Sequence, residues 1–276
     1  MKPSTRKDLV VCILIVGALC FALLIFLFIR NREKEIQVNR PRSIVTAEVL
    51  TQLKRISGIS SDQFYVDNDT RLKLLIRIKS TLEPTNSTGK AKVNIFYFGA
   101  EYCPYCATMR WPLLIALLRF GDFNSLYYLR SSAVDRYPNT ISFSFYGTKY
   151  TSSYITFVPV EAEDRNRRIL QKPTQNELSI LERYDDPPYT ESFGAMPFLY
   201  TGGQFINIGG PFSPSLLAKH SWRQVIKQLT NIPNSELSYG IFATANEYTK
   251  AICELTKDKP ANICDKLSSI SEKHLL

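Results

Sequence analysis

The sequence VNIFYFGAEYCPYC at residues 93–106 carries the clearest structural signals of the chain. Its first six residues, 93–98, are mostly β-branched or aromatic, which predicts a short buried strand. After the second cysteine, apolar residues recur at helical spacing as far as Phe120, which predicts a helix. Cys103 and Cys106 therefore lie on a strand-to-helix turn, at the start of the helix.

The C-x-x-C spacing at a helix start predicts a redox-active thiol pair. The unpaired amide groups and the positive end of the helix favour a thiolate at Cys103, which makes it a nucleophile and a good leaving group. Cys106, one turn further along, is placed to attack a mixed disulfide and release the substrate. Pro104 is tolerated in the first turn because the amide that it lacks would be unpaired there anyway.

Half of a zinc site and an inert bridge are the alternative uses of this pair. A zinc site needs further ligands, yet the only histidines are His220 and His274, and the chain has no second C-x-x-C. A four-cysteine zinc site would have to recruit Cys253 and Cys264. The sequence predicts neither a metal nor a cofactor.

A second signal lies at Met196-Pro197, where a predicted hairpin begins. Proline cannot donate a ladder hydrogen bond, so it is disfavoured in a strand. A cis Met196–Pro197 bond at the start of the strand accounts for its position and leaves the Met196 backbone free to pair with a substrate segment. An ordinary edge-strand proline is the alternative. With Pro104 and Tyr105, these two residues form the predicted substrate-binding surroundings of the thiols.

The other four cysteines form two pairs with different surroundings. Cys253 and Cys264 flank Pro260 after a predicted helix, and a disulfide between them would tie the tail to that helix. Such a bond would imply an oxidising compartment, whereas two reduced, buried thiols are the alternative. Cys12 and Cys20 lie in an apolar run, where cysteine behaves as a small hydrophobe.

The apolar run extends from Leu9 to Ile29 and is long enough to span a membrane. It ends in bulky residues followed by Arg30 rather than in a small-residue cleavage site, which predicts an uncleaved anchor. The formal net charge is +9, but the basic residues are scattered rather than gathered into a stripe, which argues against nucleic-acid binding. We therefore expect a single-pass protein of the cell membrane.

The orientation of this anchor follows from two opposing signals. The basic residues that flank the span favour a large domain inside the cell. Long domains can be translocated regardless of charge, and the cysteine usage favours an oxidising exterior. We expect the amino terminus inside and the catalytic domain extracytoplasmic, and the sequons at Asn68 and Asn86 agree with export.

Periodicity and turn signals predict the remaining elements. These are a helix stopped by Gly58, strands at 72–79, 141–146 and 154–158, a helix at 174–184, a hairpin at 195–208, and helices at 213–230 and 234–256. Their order implies a layered α/β fold with a mixed sheet flanked by helices.

The turn at residues 100–106 after a hydrophobic strand, the Met196-Pro197 that opens a hairpin, and the following Gly209-Gly210 together resemble the thioredoxin superfamily. This resemblance covers about residues 93–230. The chain also looks like an uncharacterised archaeal family of membrane-anchored, thioredoxin-like proteins along nearly its whole length. That similarity rests on residues 99–106, 110–111, 137–140, 157–160 and 251–253.

The thioredoxin resemblance implies a nucleophilic Cys103, a resolving Cys106 and a cis Pro197. It also implies a thioredoxin-like domain with an insertion. Together with the apolar run and the polar and helical segments around this domain, it divides the chain into five regions: a cytoplasmic tip with the transmembrane anchor, a stalk with an N-terminal extension, the thioredoxin-like domain, an insertion within that domain, and a helical C-terminal extension. They comprise residues 1–30, 31–90, 91–232, about 125–190, and 233–276. One position departs from the pattern, because thioredoxins often carry a buried acid six residues before the first cysteine, where this chain has Tyr97.

The function implied is a thiol-disulfide oxidoreductase acting on exported proteins with thiols or disulfides, with a membrane redox partner as a further candidate. A glutaredoxin-like thiol transferase is the enzymatic alternative, encouraged by Gly209-Gly210 before a helix but opposed by the anchor. A non-catalytic chaperone or Cu(I) metallochaperone on the same scaffold is the second alternative.

Overall fold

The computed structural model describes residues 6–38, 42–59, 74–84, 92–231 and 235–265. The chain divides into two compact units, one up to Ser43 and one from Ile44 onward. The sequons at Asn68 and Asn86 lie outside the described residues.

The first unit is a single long helix, α1 (Arg6–Val38). Its segment Val11–Arg30 is apolar and long enough to cross a membrane, and every side chain in that segment is exposed. The predicted apolar run is therefore an N-terminal helix, as expected.

The second unit is built on a five-stranded mixed sheet, which confirms the predicted α/β class. Its strands are β1 (Ile76–Arg77), β2 (Val93–Gly99), β5 (Ile155–Glu161), β6 (Phe198–Thr201) and β7 (Phe205–Ile208). They lie in the order β1-β7-β6-β2-β5. Strand β2 runs parallel to β5 and antiparallel to β6, so it is an interior strand of the sheet, and the turn with the thiols follows its carboxyl end.

Helices cover both faces of this sheet: α2 (Ala47–Ser57), α3 (Pro104–Phe120), α4 (Gln175–Tyr184), α5 (Trp222–Asn231) and α6 (Glu236–Thr256). Helix α4 packs its Ile180 and Leu181 against Phe96 and Phe98 of β2. Since side chains alternate along a strand, Tyr97 points to the opposite face, where α3 lies. Helix α6 packs on α3 within the same compact unit.

The hairpin β3 (Gly121–Arg130) and β4 (Ile141–Ser152) forms a second, two-stranded sheet. It lies against α3 and α5, because Trp111 Nε1 donates to Ile141 O at 3.1 Å and Trp222 Nε1 donates to Ser142 O at 2.7 Å. The segment predicted as an insertion, about 125–190, thus contains most of this hairpin, and it also contains β5, a strand of the main sheet.

Two predicted elements are shorter than expected. The strand predicted at 72–79 pairs with β7 at Ile76 and Arg77, because the hairpin turn at 202–204 lies directly before Phe205. Beyond Arg77, Ile78 N–H and Ser80 N–H donate to carbonyls of this turn instead. The helix at 213–230 begins only at Trp222, because Lys219 adopts a left-handed conformation with φ 66° that ends the preceding 3₁₀ turn. Residues 72 and 73 lie outside the described residues.

The carboxyl end of α6 is tied to the segment that follows it. Cys253 and Cys264 are joined by a disulfide with an S–S distance of 2.01 Å, as expected from their spacing. Helix α6 ends at Thr256, where Lys257 adopts a left-handed conformation and its N–H donates to carbonyls of the last turn.

Candidate active site

The candidate site is the turn between β2 and α3. Cys103 is the N-cap residue of α3, in an extended conformation with φ −78° and ψ 120°. The Cys106 backbone N–H donates to Cys103 Sγ at 3.2 Å, so the sulfur occupies the place of a capping oxygen. Pro104 occupies the first turn, as predicted, where its missing N–H leaves no partner unsatisfied.

The two thiols of this turn differ in their ionisation. The Cys106 thiol, which donates to Cys103 Sγ, lowers the pKa of Cys103 below its ordinary value, and this outweighs the opposing effect of burial. The backbone N–H of Cys106 and the charge of Arg110 act in the same direction. Burial raises the pKa of Cys106 well above its ordinary value, and Cys103 adds to the effect while Arg110 opposes it. Cys103 is thus prepared to be a thiolate and Cys106 to stay protonated.

Met196 packs against the cluster of Ala100, Cys103 and Cys106, and the Met196–Pro197 peptide bond is cis. The structure therefore brings together the two signals that lie 90 residues apart in the sequence. Pro197 precedes β6, which has β7 on one side and β2 on the other, so the edge-strand alternative for this proline is wrong.

The hairpin that follows Pro197 is held against the first turn of α3. The Gly209 N–H donates to Pro197 O at 2.8 Å. Gly210 lies so close to the helix that a β-carbon there would meet Thr108 Oγ1 at 2.5 Å and Tyr105 Cδ1 at 3.2 Å. The position of Met196 relative to the thiols therefore depends on this close approach.

Aromatic rings border the turn on its exposed side. Tyr105 is 41% exposed, and its ring meets that of Tyr137 edge to face at 6.1 Å. The guanidinium of Arg167 lies 3.8 Å from the ring centroid of half-buried Tyr102, which also hydrogen-bonds through its carbonyl to Ser132 N–H. Tyr105 is thus exposed next to the thiols, and Tyr102 packs against Ala100, Cys103 and Cys106.

A buried ion pair lies behind the thiols, and its residues were not predicted as site residues. Arg110 Nε donates to Glu161 Oε1 at 2.9 Å, and its Nη2 donates to Glu161 Oε2 at 2.6 Å and to Ala100 O at 2.7 Å. Both side chains are fully buried. Burial opposes the charge of Arg110, but Glu161 beside it raises the pKa of Arg110 well above its ordinary value. Burial raises the pKa of Glu161, against the effect of Arg110.

Two sequence signals could have located this pair. Arg110 follows Cys106 by four residues and so lies on the same face of α3. Glu161 stands opposite Gly99 in the parallel pairing of β5 with β2, at the same edge of the sheet as the turn. A further buried carboxylate, Glu101, accepts a hydrogen bond from Ser144 Oγ at 2.6 Å.

The four-cysteine zinc alternative does not fit this arrangement. Cys253 and Cys264 are bonded to each other, while Cys103 and Cys106 are free thiols. In the part of the chain that the structure describes, no group of three or more His, Cys, Asp or Glu side chains could hold a metal ion.

No curated protein and no solved structure matches the chain. A family model does match residues 79–254, and its description is Domain of unknown function (DUF929). This range is more than half of the chain and contains both thiols, the Arg110–Glu161 pair and the cis Pro197. The chain therefore belongs to the DUF929 family.

Proposed function

We propose that this protein is a membrane-anchored thiol-disulfide oxidoreductase of thioredoxin-like fold that acts on extracytoplasmic proteins. The observation that carries the proposal is the contrast between two thiols on one turn. The pKa of Cys103 is lowered at a helix start, and the pKa of Cys106 is raised by burial one turn later. Thiol-disulfide exchange needs one sulfur that attacks readily and a second that is held back until the mixed disulfide has formed.

The chemistry of reduction then takes two steps. The Cys103 thiolate attacks one sulfur of a substrate disulfide, which forms a mixed disulfide and releases the other substrate sulfur as a thiolate. Cys106 then attacks Cys103 Sγ, the bond from Cys103 to the substrate breaks, and the proton of Cys106 ends on the departing substrate sulfur. Two electrons pass from the protein to the substrate, and the same steps in reverse oxidise a dithiol.

Protein substrates are supported by the surface around the turn. Among the described residues of the second unit, most of the exposed large hydrophobic side chains lie on the first turn of α3, on segments that hydrogen-bond to the β2–α3 turn, or on the segment that leads to Met196. They are Tyr105, Val134, Ile169 and Phe193. Apolar side chains exposed around a reactive thiol favour contact with a polypeptide rather than with a small polar thiol.

The anchor and the thioredoxin-like fold rest on separate observations. The Val11–Arg30 helix has the length and composition of a membrane span, and the Cys253–Cys264 disulfide favours an oxidising compartment for the second unit. The mixed sheet, the thiols at the start of α3 and the cis proline next to them are the features that support a thioredoxin-like fold.

Reduction of insulin disulfides by dithiothreitol tests this proposal on the full chain in detergent. We expect the wild-type protein to accelerate the reaction and the Cys103→Ser variant to fall to the uncatalysed rate. The Cys12→Ser variant, which alters an exposed cysteine of α1, is the matched control and should keep the wild-type rate. Equal rates for wild type and Cys103→Ser would refute the proposal.

A further inference from the structure

Two buried polar atoms near Cys106 lack a hydrogen-bond partner among the described residues. They are the hydroxyl of Tyr97 on β2 and Nη1 of Arg110 on α3. Both side chains are fully buried. An unpaired polar group is costly in a protein interior. We therefore expect these two atoms to gain a partner in a state other than the resting one.

The Tyr97 hydroxyl and the Cys106 sulfur both border the space where a side chain of residue 99 would begin. A β-carbon on residue 99 would overlap the Tyr97 hydroxyl and would lie 3.1 Å from Cys106 Sγ. Arg110 completes the group, with its guanidinium carbon 5.7 Å from the centroid of the Tyr97 ring. The absence of a side chain at Gly99 therefore lets the hydroxyl and the sulfur approach one another.

Resolution of a mixed disulfide requires negative charge to develop on Cys106 Sγ in a site that burial makes unfavourable for it. The groups that face this sulfur are Cys103 on the turn, Tyr97 on β2 and Arg110 on α3. Glu161 on β5 is paired with Arg110, and Glu101 lies near Glu161. Arg110 alone among these groups carries a positive charge.

We propose that the Tyr97 hydroxyl donates a hydrogen bond to Cys106 Sγ as it attacks, and that the Arg110 charge, moderated by Glu161, stabilises the same sulfur. This inference rests on the proposed function and deepens it. Burial raises the pKa of Tyr97 well above its ordinary value, although Arg110 opposes the shift, so the hydroxyl keeps its proton and remains a donor. In the step itself, the Cys106–Cys103 bond forms and the Cys103–substrate bond breaks. The Cys106 proton ends on the substrate sulfur.

Ellman's reagent measures this step without any protein substrate. The full chain carries Cys12→Ser, Cys20→Ser, Cys253→Ala and Cys264→Ala, so that Cys103 and Cys106 are its only thiols, and it is reduced, freed of reductant and mixed with the reagent. Cys103 releases one thionitrobenzoate when the mixed disulfide forms, and attack by Cys106 releases a second. The rate of the second release and its dependence on pH report on Cys106 alone.

Tyr97→Phe is the sharpest variant, because it removes only a hydroxyl that has no hydrogen-bond partner. We expect the second release to slow by about tenfold and its pH midpoint to rise, because one hydrogen bond to a charged group is lost. The thermal midpoint of the reduced variant should equal or exceed that of the wild type. An unchanged rate of second release would overturn the role of Tyr97.

The charge of Arg110 is tested by variants of opposite expected sign. Arg110→Gln should slow the second release, whereas Glu161→Gln should speed it several-fold, since the guanidinium charge is then no longer offset. If the ion pair were merely structural, the second release would be slower in both variants, and that result would overturn the role of the charge. If a single variant fails to fold, the double variant decides, because it leaves no unpaired charge. It should be slower than the wild type, and an equal rate contradicts the proposal.

The two proposals fail in different ways. If Cys103→Ser retains insulin reduction, the proposed function is wrong whatever the second release does. If Cys103→Ser is inactive but the second release is unaffected by Tyr97→Phe, Arg110→Gln and Glu161→Gln, only the present inference is wrong.

Discussion

Two pairs of cysteines in the second unit have the same burial but opposite positions on their helices. Cys103 and Cys106 lie at the amino end of α3, whereas Cys253 lies in the last turn of α6 and is bonded to Cys264. All four side chains are buried, so exposure does not distinguish the pairs. The first pair is free and the second is a disulfide.

The difference shows how a helix end selects the behaviour of a thiol. The amino end of α3 presents N–H groups and positive potential to Cys103, which favours the thiolate that exchange requires. The carboxyl end of α6 presents carbonyl groups and negative potential, which disfavours a thiolate at Cys253 and so disfavours exchange. We therefore expect the Cys103 pair to react and the Cys253 pair to stabilise.

The largest difference between the two pairs is expected when substrates are trapped as mixed disulfides. Cys106→Ala removes the resolving thiol, so Cys103 should accumulate mixed disulfides with exported proteins, seen on non-reducing gels of native membranes. Cys103→Ala/Cys106→Ala should lose every adduct. Removal of the tail pair in Cys253→Ala/Cys264→Ala should produce none. Adducts that persist in Cys103→Ala/Cys106→Ala would assign the reactivity to another cysteine.

For the stability of the protein, the Cys253–Cys264 pair should matter more than the Cys103–Cys106 pair. Cys253→Ala/Cys264→Ala removes the link that closes a short loop, and we expect a loss of ~3 kcal/mol and a thermal midpoint lower by about 6–12 °C. Insulin reduction should stay within about twofold of the wild-type rate, since α3 and its turn are untouched. Cys103 and Cys106 are free thiols, so Cys103→Ala/Cys106→Ala removes no covalent link and should shift the thermal midpoint less. Midpoints equal to the wild type would show that the tail disulfide contributes nothing.

A change of pH should alter the stability of the protein through Asp185, which lies in the segment that leads to Met196. Burial raises the pKa of Asp185 to about 8, against the effect of the Ala195 backbone N–H. Because the folded-state value lies above the ordinary one, the unfolded chain loses this proton first. The contribution of Asp185 to stability is thus present below about pH 4 and is lost as the pH rises towards about 8.

Asp185→Asn does not titrate, so its thermal midpoint should exceed that of the wild type by an amount that grows across this range. Thermal unfolding at about pH 4, 6 and 9 measures the difference, with Asp186→Asn at the neighbouring position as control. A difference that stays constant with pH would mean that Asp185 does not remain protonated in the folded protein.

The smallest effect is expected beside the tail disulfide, at the ion pair between Arg77 and Glu254. Its N–O distances are 2.6 and 2.9 Å, and the hydrogen bond from Arg77 lowers the pKa of Glu254. Both side chains are largely exposed, so solvent and salt screen the attraction. Glu254→Gln should leave the thermal midpoint unchanged within error. A clear fall would show that this pair, and not only the disulfide, fixes α6 to the sheet.

Local signals allowed the centre of the fold to be predicted. Strand β2, helix α3 and the cis Pro197 each follow from residue types within a few positions of one another. Strand β3 was not predicted, because register shifts between Phe123 and Tyr127 break the alternation that identifies a strand. The helix expected from 213 was interrupted at Lys219 by a left-handed residue that sequence preference disfavours.

The candidate site was predictable only in its sulfur chemistry. The thiols and Met196 carry recognisable motifs, but Arg110 and Glu161 are separated by 51 residues and derive their meaning from mutual burial. A charged residue in sequence is most often a solvated one, so the spacing of Arg110 from Cys106 did not by itself predict that this arginine is buried. The pairing becomes apparent only when β2 and β5 are placed side by side.

The attachment of the β3–β4 hairpin gives the protein a natural optical signal. The chain contains two tryptophans, and their indole N–H groups donate to consecutive carbonyls at the start of β4. Trp111 lies on α3 directly after Arg110, and Trp222 lies on α5. Intrinsic fluorescence therefore reports on the start of β4, which both indoles contact from different helices. A red shift of the emission would indicate that the β3–β4 hairpin is released before the main sheet unfolds.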